Sequence, residues 1–435
     1  MRQLKVLMVH PPDPEGHPNP FQWRCEPLGL EYVAAACKQD DHIPRILDLR
    51  LWPDRLESAI IEFEPDVVGT TGYSMHVYRA REVCDTVKRL RPGCLTAVGG
   101  HHATVAPEDF MHPSVDMIFR GEGVRQFAGT LKRLAMGDSD PASGAEGAIR
   151  KGMDGLFTPV NGHKLPSRAP DLLPLPARDM NPADRGCYRM GAFESVALMA
   201  TSVGCAFRCN FCALWKLMDG AYMARDIDSV VEELGGIQEE YVFFTDDEPF
   251  TDRKRMERLA DAVIAAGIKK KIMSYCRADT MTRHPELVAK WRDAGLVGVS
   301  MGVEAVTEKE LDGFNKRIKP SQVEEAFMVA RRIGVEIFPL FIVGTDYQPK
   351  DFKRLARYIQ RHNIENPIFS VLTPLPGSDL LTDFSAITET VSGGRPNWEL
   401  FDLQHPVTAT AMPKEAFMRA YYELWGSTRV VARKG

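Results

Sequence analysis

The stretch Cys205-Ala-Phe-Arg-Cys209-Asn-Phe-Cys212 decides how this chain is interpreted. It follows an apolar run, Ser195 to Thr201, that predicts a strand, and Gly204 stands directly before the first cysteine. Three thiolates spaced four and three residues apart on one loop can ligate three irons of a [4Fe-4S] cube. The fourth iron then has no protein ligand and can bind a small chelating molecule, as a catalytic metal site must. We therefore predict that Cys205, Cys209 and Cys212 hold such a cluster.

A zinc site or a plain core role suits these cysteines less well. A closed zinc site takes four ligands and usually pairs one CxxC with a second couple, but no second couple lies nearby in the sequence. Three unliganded core cysteines would have no reason for this spacing. The pattern favours the iron–sulfur cluster over both.

The sequence around the cysteine loop alternates strands and helices. Six such units are too few for a closed eight-unit barrel, so we predict a partial, open TIM-like barrel over residues 191–390. Residues 391–435 contain an amphipathic stretch from Pro413 to Trp425 and predict a short helical cap. The predicted strands lie near Ser195–Thr201, Tyr241–Thr245, Lys271–Cys276, Gly298–Val303, Glu336–Val343 and Ile368–Thr373.

The amino-terminal part, residues 1–135, shows the same alternation and predicts a second α/β domain, doubly wound and Rossmann-like. Open sheets of this kind bind ligands at the carboxyl ends of their strands, which here carry HPP, TTGYSM, GGHHAT and RGEG. Residues 136–190 are rich in Pro, Gly, Ser and Asp and predict a surface linker. The predicted strands are Val6–Val9, Arg45–Leu47, Val67–Thr70, Leu95–Val98 and Met117–Phe119.

Composition excludes several classes of partner. The 435 residues carry 54 Lys and Arg against 59 Asp and Glu, so the net charge of -5 gives no overall positive field for nucleic acid or anionic lipid. No apolar run approaches the roughly 20 residues of a transmembrane segment. The odd count of 9 cysteines argues against a secreted disulfide framework. We expect a cytoplasmic protein without a transmembrane segment or a nucleic-acid partner.

The cysteine loop resembles that of the radical S-adenosylmethionine (SAM) superfamily, whose CxxxCxxC motif is matched by Cys205, Cys209 and Cys212, with Phe211 as its aromatic residue. The resemblance implies that the open iron chelates the amino and carboxylate groups of SAM. One electron then cleaves the sulfonium, and a 5'-deoxyadenosyl radical takes hydrogen from the substrate. It also implies an external electron donor of the flavodoxin or ferredoxin type.

The same resemblance assigns SAM contacts to polar residues at the ends of the barrel strands. Thr245 and Asp246 stand where the family often has a Gly-Gly-Glu run, although Thr245 to Glu248 can also serve as a helix amino cap. Arg277 and Glu304 can instead form an ion pair between neighbouring strands, and we expect Lys316 and Arg317 to be solvated. The implied contacts are Phe211, Thr245, Asp246, Ser274, Arg277 and Glu304.

Both halves together resemble the cobalamin-binding radical SAM class, through EPLGLEYVAAA, PDVVGTTGYS, AVGGHHATVAPEDF and DMIFRGEG. Within it the chain is similar to the hopanoid methylases, through FFTDDEPF, SYCRADT, MGVEAVTEKELDGFNKR and TPLPGSDL. The DxHxxG pattern that supplies a lower axial histidine elsewhere is missing, so cobalamin is expected to bind without it. Alternatively, the lobe is a scaffold whose glycines form ordinary turns. The implied cobalamin contacts are Gly72, Tyr73, Ser74, Gly99, Gly100, His101 and Gly121, with His10 as a further candidate.

Three functions follow from these resemblances and residues. The leading prediction is a cobalamin-dependent radical SAM C-methyltransferase acting on an unactivated carbon of a small-molecule natural product or lipid. The second is a dehydratase, cyclase or rearrangement enzyme on a sugar or lipid with a vestigial cobalamin domain. In that case Glu304, Asp247 or Tyr347 would manage protons as catalytic groups. The third is an iron–sulfur electron carrier or redox sensor.

Overall fold

A computed structural model of the chain describes residues 2–18, 20, 23–160, 170, 173–218 and 220–428. The chain divides into two compact units, Met1–Met190 and Gly191–Gly435. Parts of the predicted linker, 161–169 and 171–172, and the end of the predicted cap, 429–435, lie outside the described residues. None of the helices in the described ranges has both the length and the apolar character needed to cross a bilayer.

The first unit is built on one seven-stranded sheet with the order β2-β1-β3-β4-β5-β6-β7. Strands β1 to β5 are parallel, and β6 and β7 are antiparallel additions. The elements are β1 (Lys5–His10), α1 (Leu28–Gln39), β2 (Ile43–Asp48), α2 (Leu56–Phe63), β3 (Val67–Thr71), α3 (Val77–Leu90), β4 (Leu95–Gly99), α4 (His101–Val105), β5 (Met117–Ile118), α5 (Gly123–Ala135), β6 (Ile149–Lys151), β7 (Phe157–Pro159) and β8 (Arg189–Met190).

Strand β1 shows why helices cover both faces of this sheet. Its side chains alternate between faces, as the pleat of a strand requires. Val6 and Met8 belong to a core that includes residues of α1 and α5, whereas Leu7 and Val9 belong to one that includes residues of α2 and α3. The predicted doubly wound domain is therefore confirmed.

The segment predicted as a surface linker, residues 136–190, contains two strands of the first sheet. Strands β6 and β7, three residues each, extend the first sheet. Further along, the amide of Ala177 donates to the carbonyl of Glu31 at 3.1 Å, and Asn181 donates to the carbonyl of Ile46 at 2.9 Å. Strands this short carry no readable hydrophobic period, which is why a Pro- and Gly-rich composition concealed them.

The second unit holds a six-stranded parallel sheet in sequence order, β10-β13-β14-β15-β16-β17. This arrangement is a half-barrel, and all six predicted barrel strands are found. The elements are β9 (Phe193–Glu194), β10 (Val196–Met199), β11 (Ser202–Val203), α6 (Leu214–Leu217), β12 (Met223–Ala224), α7 (Ile227–Gly236), β13 (Tyr241–Phe244), α8 (Arg253–Ala265), β14 (Lys271–Tyr275), α9 (Ala278–Arg283), α10 (Pro285–Asp293), β15 (Leu296–Glu304), α11 (Glu308–Gly313), α12 (Pro320–Ile333), β16 (Glu336–Val343), α13 (Pro349–Arg361), β17 (Ile368–Val371) and α14 (Lys414–Thr428).

The last helix packs against the far edge of the half-barrel. Phe417, Tyr421 and Trp425 recur every four residues, so they share one face of α14. The Tyr421 hydroxyl donates to the carbonyl of Phe369 on β17 at 2.9 Å, and the Trp425 ring lies edge-on to the Phe369 ring at 5.1 Å. The predicted helical carboxyl-terminal region is thus present over its described residues.

Candidate cofactor-binding sites

The three cysteines lie on one loop that follows β10 and β11 in the second unit. All three are free thiols, and burial raises the pKa of Cys205 and of Cys212 to about 11. Among the described residues no three metal-binding side chains converge as they would around a single ion. A cubane takes each thiolate on a different iron and requires no such convergence. Three thiols on one loop are therefore a donor set that fits such a cluster.

A turn from the far side of the half-barrel holds this loop. We call residues Gly313–Arg317 the brace. Asn210 Nδ2 donates to the carbonyl of Gly313 at 2.7 Å, and Asn315 Nδ2 donates to the carbonyl of Arg208 at 2.6 Å. The ring of Phe211 lies 5.5 Å from that of Phe314, so in this structure its aromatic contact is to the brace.

Two acids after β13 are occupied by the backbone of the cysteine-loop segment. Asp246 is buried and accepts from the Thr201 amide at 2.9 Å and from the Thr201 hydroxyl at 2.6 Å. Asp247 accepts from the Gly204 amide at 2.8 Å, and the Thr245 amide donates to the carbonyl of Met199 at 2.8 Å. The alternative of an amino cap at 245–248 is wrong, because Asp252 caps α8.

Glu248 is the residue of this run that sequence reasoning did not assign to SAM. Its side chain is buried, and within the described part of the chain its Oε1 has no hydrogen-bond partner. Burial raises its pKa to about 7, while the charges of Arg277 and Lys316 act in the opposite direction. A buried carboxylate oxygen without a partner needs a donor, and an ammonium group such as that of SAM would supply one. The site therefore fits SAM here.

Arg277 makes hydrogen bonds and an aromatic contact to residues around it. Its Nε donates to Asp279 Oδ1 at 2.9 Å, and its Nη2 donates to the carbonyl of Lys316 at 3.2 Å. Its guanidinium lies 3.6 Å from the centre of the Phe207 ring, inside the cysteine loop. No ion pair joins Arg277 to Glu304 among the described contacts, so that alternative is wrong. The predicted Ser274 is also buried, and its hydroxyl donates to the carbonyl of Tyr275 at 3.2 Å.

Glu304 pairs with a lysine that was expected in solvent. Lys316 Nζ lies 2.6 Å from Glu304 Oε1, and both side chains are about 8% exposed. The expectation of a solvated Lys316 was therefore wrong, whereas Arg317 is exposed. Glu304 ends β15 in a left-handed conformation, φ 62°, beside a shift in strand register.

Tyr347, the second predicted catalytic residue, lies in the turn after β16. It is buried, and burial together with neighbouring Glu310 raises the pKa of its hydroxyl. Its ring is edge-on to Phe352 at 5.5 Å. These contacts favour a packing role in the structure as it stands.

The strand ends of the first unit form a cradle in which two glycines are needed. Gly100 has φ 99°, and a Cβ there would lie 2.4 Å from Thr71 Oγ1. A Cβ on Gly72 would lie 2.6 Å from the His76 Cβ. Gly121 also has positive φ, 73°, and its amide donates to Thr104 Oγ1 at 3.0 Å. Gly99 shows only ordinary contacts, the nearest at 3.8 Å to Phe119.

Histidines surround this cradle, and hydrogen bonds fix two of them. His102 is bonded to Ser74 Oγ at 2.9 Å and to Asp109 at 3.0 Å. His76 accepts from the Tyr73 amide at 3.2 Å and is paired with Asp13 at 3.1 Å. Burial holds the pKa of His10 well below its usual range, so His10 is neutral.

The predicted cobalamin contact Tyr73 is 65% exposed beside the fixed histidines, and its ring lies 6.2 Å from that of His101. An exposed aromatic ring above close-packed backbone suits a large planar cofactor such as a corrin. The first unit therefore fits cobalamin.

A doubly wound domain with a glycine cradle, followed in one chain by a half-barrel with a three-cysteine loop, defines a class of two-cofactor radical enzymes. Comparison with known proteins supports both halves. The B12 binding domain family matches residues 21–130, and the Radical SAM superfamily matches residues 199–359. The chain belongs to the cobalamin-binding radical SAM family, whose cofactors are a [4Fe-4S] cluster, SAM and cobalamin.

The relatives and solved structures agree with this family. Hopanoid C-3 methylase of Methylococcus capsulatus is 30% identical over 99% of this chain and 81% of its own length. An anaerobic magnesium-protoporphyrin IX monomethyl ester cyclase of Cereibacter sphaeroides is 28% identical over 80% of this chain and 58% of its own. The methyltransferase TsrM of Kitasatospora setae, solved with cobalamin and a [4Fe-4S] cluster, superimposes with a TM-score of 0.71 and 17% identity, covering 98% of this chain and 91% of that one. This last likeness supports the fold alone.

Proposed function

We propose that the protein is a cobalamin-dependent radical SAM methyltransferase that methylates an unactivated carbon of a natural product or lipid. The observation that carries the proposal is the 30% identity to hopanoid C-3 methylase across 99% of the chain, which includes both units. The glycine cradle and the cysteine loop each fit their cofactor. A chain that used only one of the two cofactors would have no need of both binding sites.

Particular residues take particular tasks in this proposal. Cys205, Cys209 and Cys212 hold the cluster, and Glu248 accepts the SAM ammonium group. Arg277 fixes the loop by lying on the Phe207 ring. When bound, SAM at the cluster supplies the radical that removes a substrate hydrogen, and cobalamin supplies the methyl group.

An electron donor of the flavodoxin or ferredoxin type is part of the proposal. Three exposed cations, Arg208, Lys216 and Arg317, lie on the cysteine loop, on the helix after it and on the brace. Donors of this type are acidic, and opposite charge speeds encounter. We place the protein in the cytoplasm, because all nine cysteines are free thiols and such a compartment is reducing.

The test uses protein reconstituted with cluster and cobalamin and supplied with methyl-deuterated SAM, reductant and a panel of polycyclic lipids and natural-product scaffolds. A product heavier by a deuterated methyl group, formed only when cobalamin is present, is the expected result. Turnover that is unchanged without cobalamin, with no label in the product, would overturn the proposal.

A second candidate is a cyclase or other non-methylating enzyme. It is favoured by one finding, the 28% identity to the magnesium-protoporphyrin ester cyclase over 80% of this chain. Product mass separates the two functions, since methylation adds one methylene and the alternative leaves the carbon count unchanged.

A further inference from the structure

Helix α4, which follows the glycines at the end of β4, has five residues, His101–Val105. A helix this short is not stable by itself in water, so its surroundings must hold it. Two of its side chains, His102 and Thr104, are buried and form hydrogen bonds with residues that follow neighbouring strands. The helix therefore links chain segments that follow three different strands, β3, β4 and β5.

The Thr104 hydroxyl makes two hydrogen bonds in opposite directions. It donates to the carbonyl of Gly100 at 2.8 Å and accepts from the amide of Gly121 at 3.0 Å. Gly100 follows β4 and Gly121 follows β5, and both have positive φ, 99° and 73°. One buried hydroxyl group therefore joins the two strand ends that carry these glycines.

The ladder between β4 and β5 stops short of this point. Strand β5 is two residues long, and the last bond to β4 runs from the Phe119 amide to the Val98 carbonyl at 2.8 Å. The next carbonyl along the chain accepts from Gln126 Nε2 at 3.0 Å, but Gln126 lies on α5, directly after the same segment. The bond from Gly121 to Thr104 is thus what ties this segment back to the end of β4.

The second buried side chain ties the same helix to the end of β3. The ring nitrogens of His102 lie 2.9 Å from Ser74 Oγ and 3.0 Å from Asp109 Oδ2. The backbones of β3 and β4 are equally close here, since a Cβ on Gly100 would lie 2.4 Å from Thr71 Oγ1. Buried groups of α4 therefore join all three strand ends that carry the predicted cobalamin contacts.

We propose that Thr104 is a positioning residue of the cobalamin site, which holds Gly100 and Gly121 at the spacing that the cofactor needs. The inference rests on the proposed function, because it assumes that these strand ends bind cobalamin. A site that is already ordered binds more tightly, since binding need not order it. Without the hydroxyl, Gly121 loses its partner, whereas α4 keeps the bond from the Thr104 amide to the Gly100 carbonyl, at 3.2 Å.

The test is cobalamin binding to the full chain, measured by absorbance titration with hydroxocobalamin, without SAM, reductant or substrate. Thr104→Val removes the hydroxyl at nearly constant shape. We expect binding to weaken about three- to tenfold, as the loss of one hydrogen bond implies. Thr104→Ser keeps the hydroxyl and should restore most of the affinity.

Thr130→Val is the matched control in the same unit. Thr130 is also buried in a helix and donates to a carbonyl four residues earlier, that of Gln126, at 2.9 Å, but this bond stays within α5. Both valine variants should unfold at a lower temperature than wild type when cobalamin is absent. Only Thr104→Val should gain less stability than wild type when cobalamin is added, because that gain depends on the affinity.

If Thr104→Val prevents folding, Thr104→Ala and Thr130→Ala make the same comparison with a smaller side chain and the same expected result. Wild-type affinity in a folded Thr104 variant without the hydroxyl, or equal losses of affinity in the Thr104 and Thr130 variants, would overturn the inference. Neither result would affect the proposed methyl transfer. Wild-type protein that binds no cobalamin would overturn both.

Discussion

The carboxyl ends of the two parallel sheets differ in chemistry at equivalent places in their folds. The first sheet ends in glycines and hydrogen-bonded histidines around an exposed Tyr73, and its buried ion pair, Asp48 with Arg50, lies at the end of the edge strand β2. The half-barrel ends in buried charged groups, Glu248, Arg277, Glu304 and Lys316. Both sites lie at the carboxyl ends of parallel strands, as ligand sites in open α/β sheets do. Their side chains differ, so that the first site is shaped mainly by glycines and the second is lined by charged groups.

The contrast matches what each cofactor demands. A large preformed ring needs room and close approach to backbone, which glycine provides. A cluster that exchanges electrons and a zwitterionic ligand need compensating charges in a medium that screens weakly. Each of the following variants tests one side of this contrast.

The largest effect is expected from Cys209→Ala. Removal of one of three protein ligands should abolish assembly of the cluster, and SAM cleavage should fall to background. Cobalamin binding by the first unit should persist, because Cys209 belongs to the second unit and the glycine cradle to the first. Iron content, 5'-deoxyadenosine formation and the corrin absorbance spectrum measure the three outcomes.

Cys187→Ser provides the control for that variant, since Cys187 is an exposed thiol outside the loop. It should retain iron and activity. Loss of cobalamin together with the cluster in Cys209→Ala would contradict the independence of the two sites.

Glu248→Gln should weaken SAM binding about 10- to 100-fold, because a hydrogen bond to a charged group is worth about 1.5–3 kcal/mol. The cluster should remain, as Glu248 is not among its proposed ligands. Saturation of SAM cleavage measures the effect, and Glu240→Gln, at an exposed residue paired with Lys271, is the matched control. Equal half-saturation in wild type and Glu248→Gln would remove Glu248 from the site.

Gly100→Ala should weaken cobalamin binding about tenfold. The new Cβ meets Thr71 Oγ1 at 2.4 Å in a left-handed conformation, so the cradle must shift at a cost of about 1–3 kcal/mol. Titration with cobalamin followed by absorbance measures the change. Gly93→Ala, where a Cβ has open space, should bind normally; similar losses in both variants would point to general destabilisation instead.

The smallest effect is expected on stability, from a buried carboxyl group of the first unit that lies away from the strand ends. Glu31 on α1 accepts from Arg185 at 2.9 Å, and burial, with neighbouring Glu26, raises its pKa to about 8. Because the unfolded pKa is lower, its favourable contribution is complete at low pH and is lost as the pH rises through about 8. Glu31→Gln should therefore be more stable than wild type at pH 9 and equal to it at pH 4.

Thermal unfolding of the full chain at the two pH values tests this last expectation. Glu64→Gln, at an exposed residue, should show no pH-dependent difference from wild type. A stabilisation of Glu31→Gln at both pH values would show that its effect is unrelated to ionisation.

Both folds could be predicted from the sequence because short apolar runs alternate with amphipathic helical stretches and because the three cysteines of the loop have a specific spacing. What the sequence did not reveal depends on contacts across long separations. The sequence does not distinguish the roles of three adjacent acids, Asp246, Asp247 and Glu248. In the structure, Asp246 and Asp247 accept hydrogen bonds from backbone amides and a hydroxyl, whereas one carboxylate oxygen of Glu248 has no partner among the described residues. Burial of Lys316 likewise follows from two left-handed neighbours that no local pattern predicts.

The brace also has a consequence for how the protein is made. The hydrogen bond from Asn315 to Arg208 joins residues 107 positions apart. The cysteine loop therefore emerges from the ribosome well before the brace has been synthesised. Until residue 317 has been synthesised, the loop lacks its hydrogen bonds to Gly313 and Asn315 of the brace. Delivery of iron and sulfide to this protein is therefore best timed late, after the half-barrel has closed up to β15 and α11.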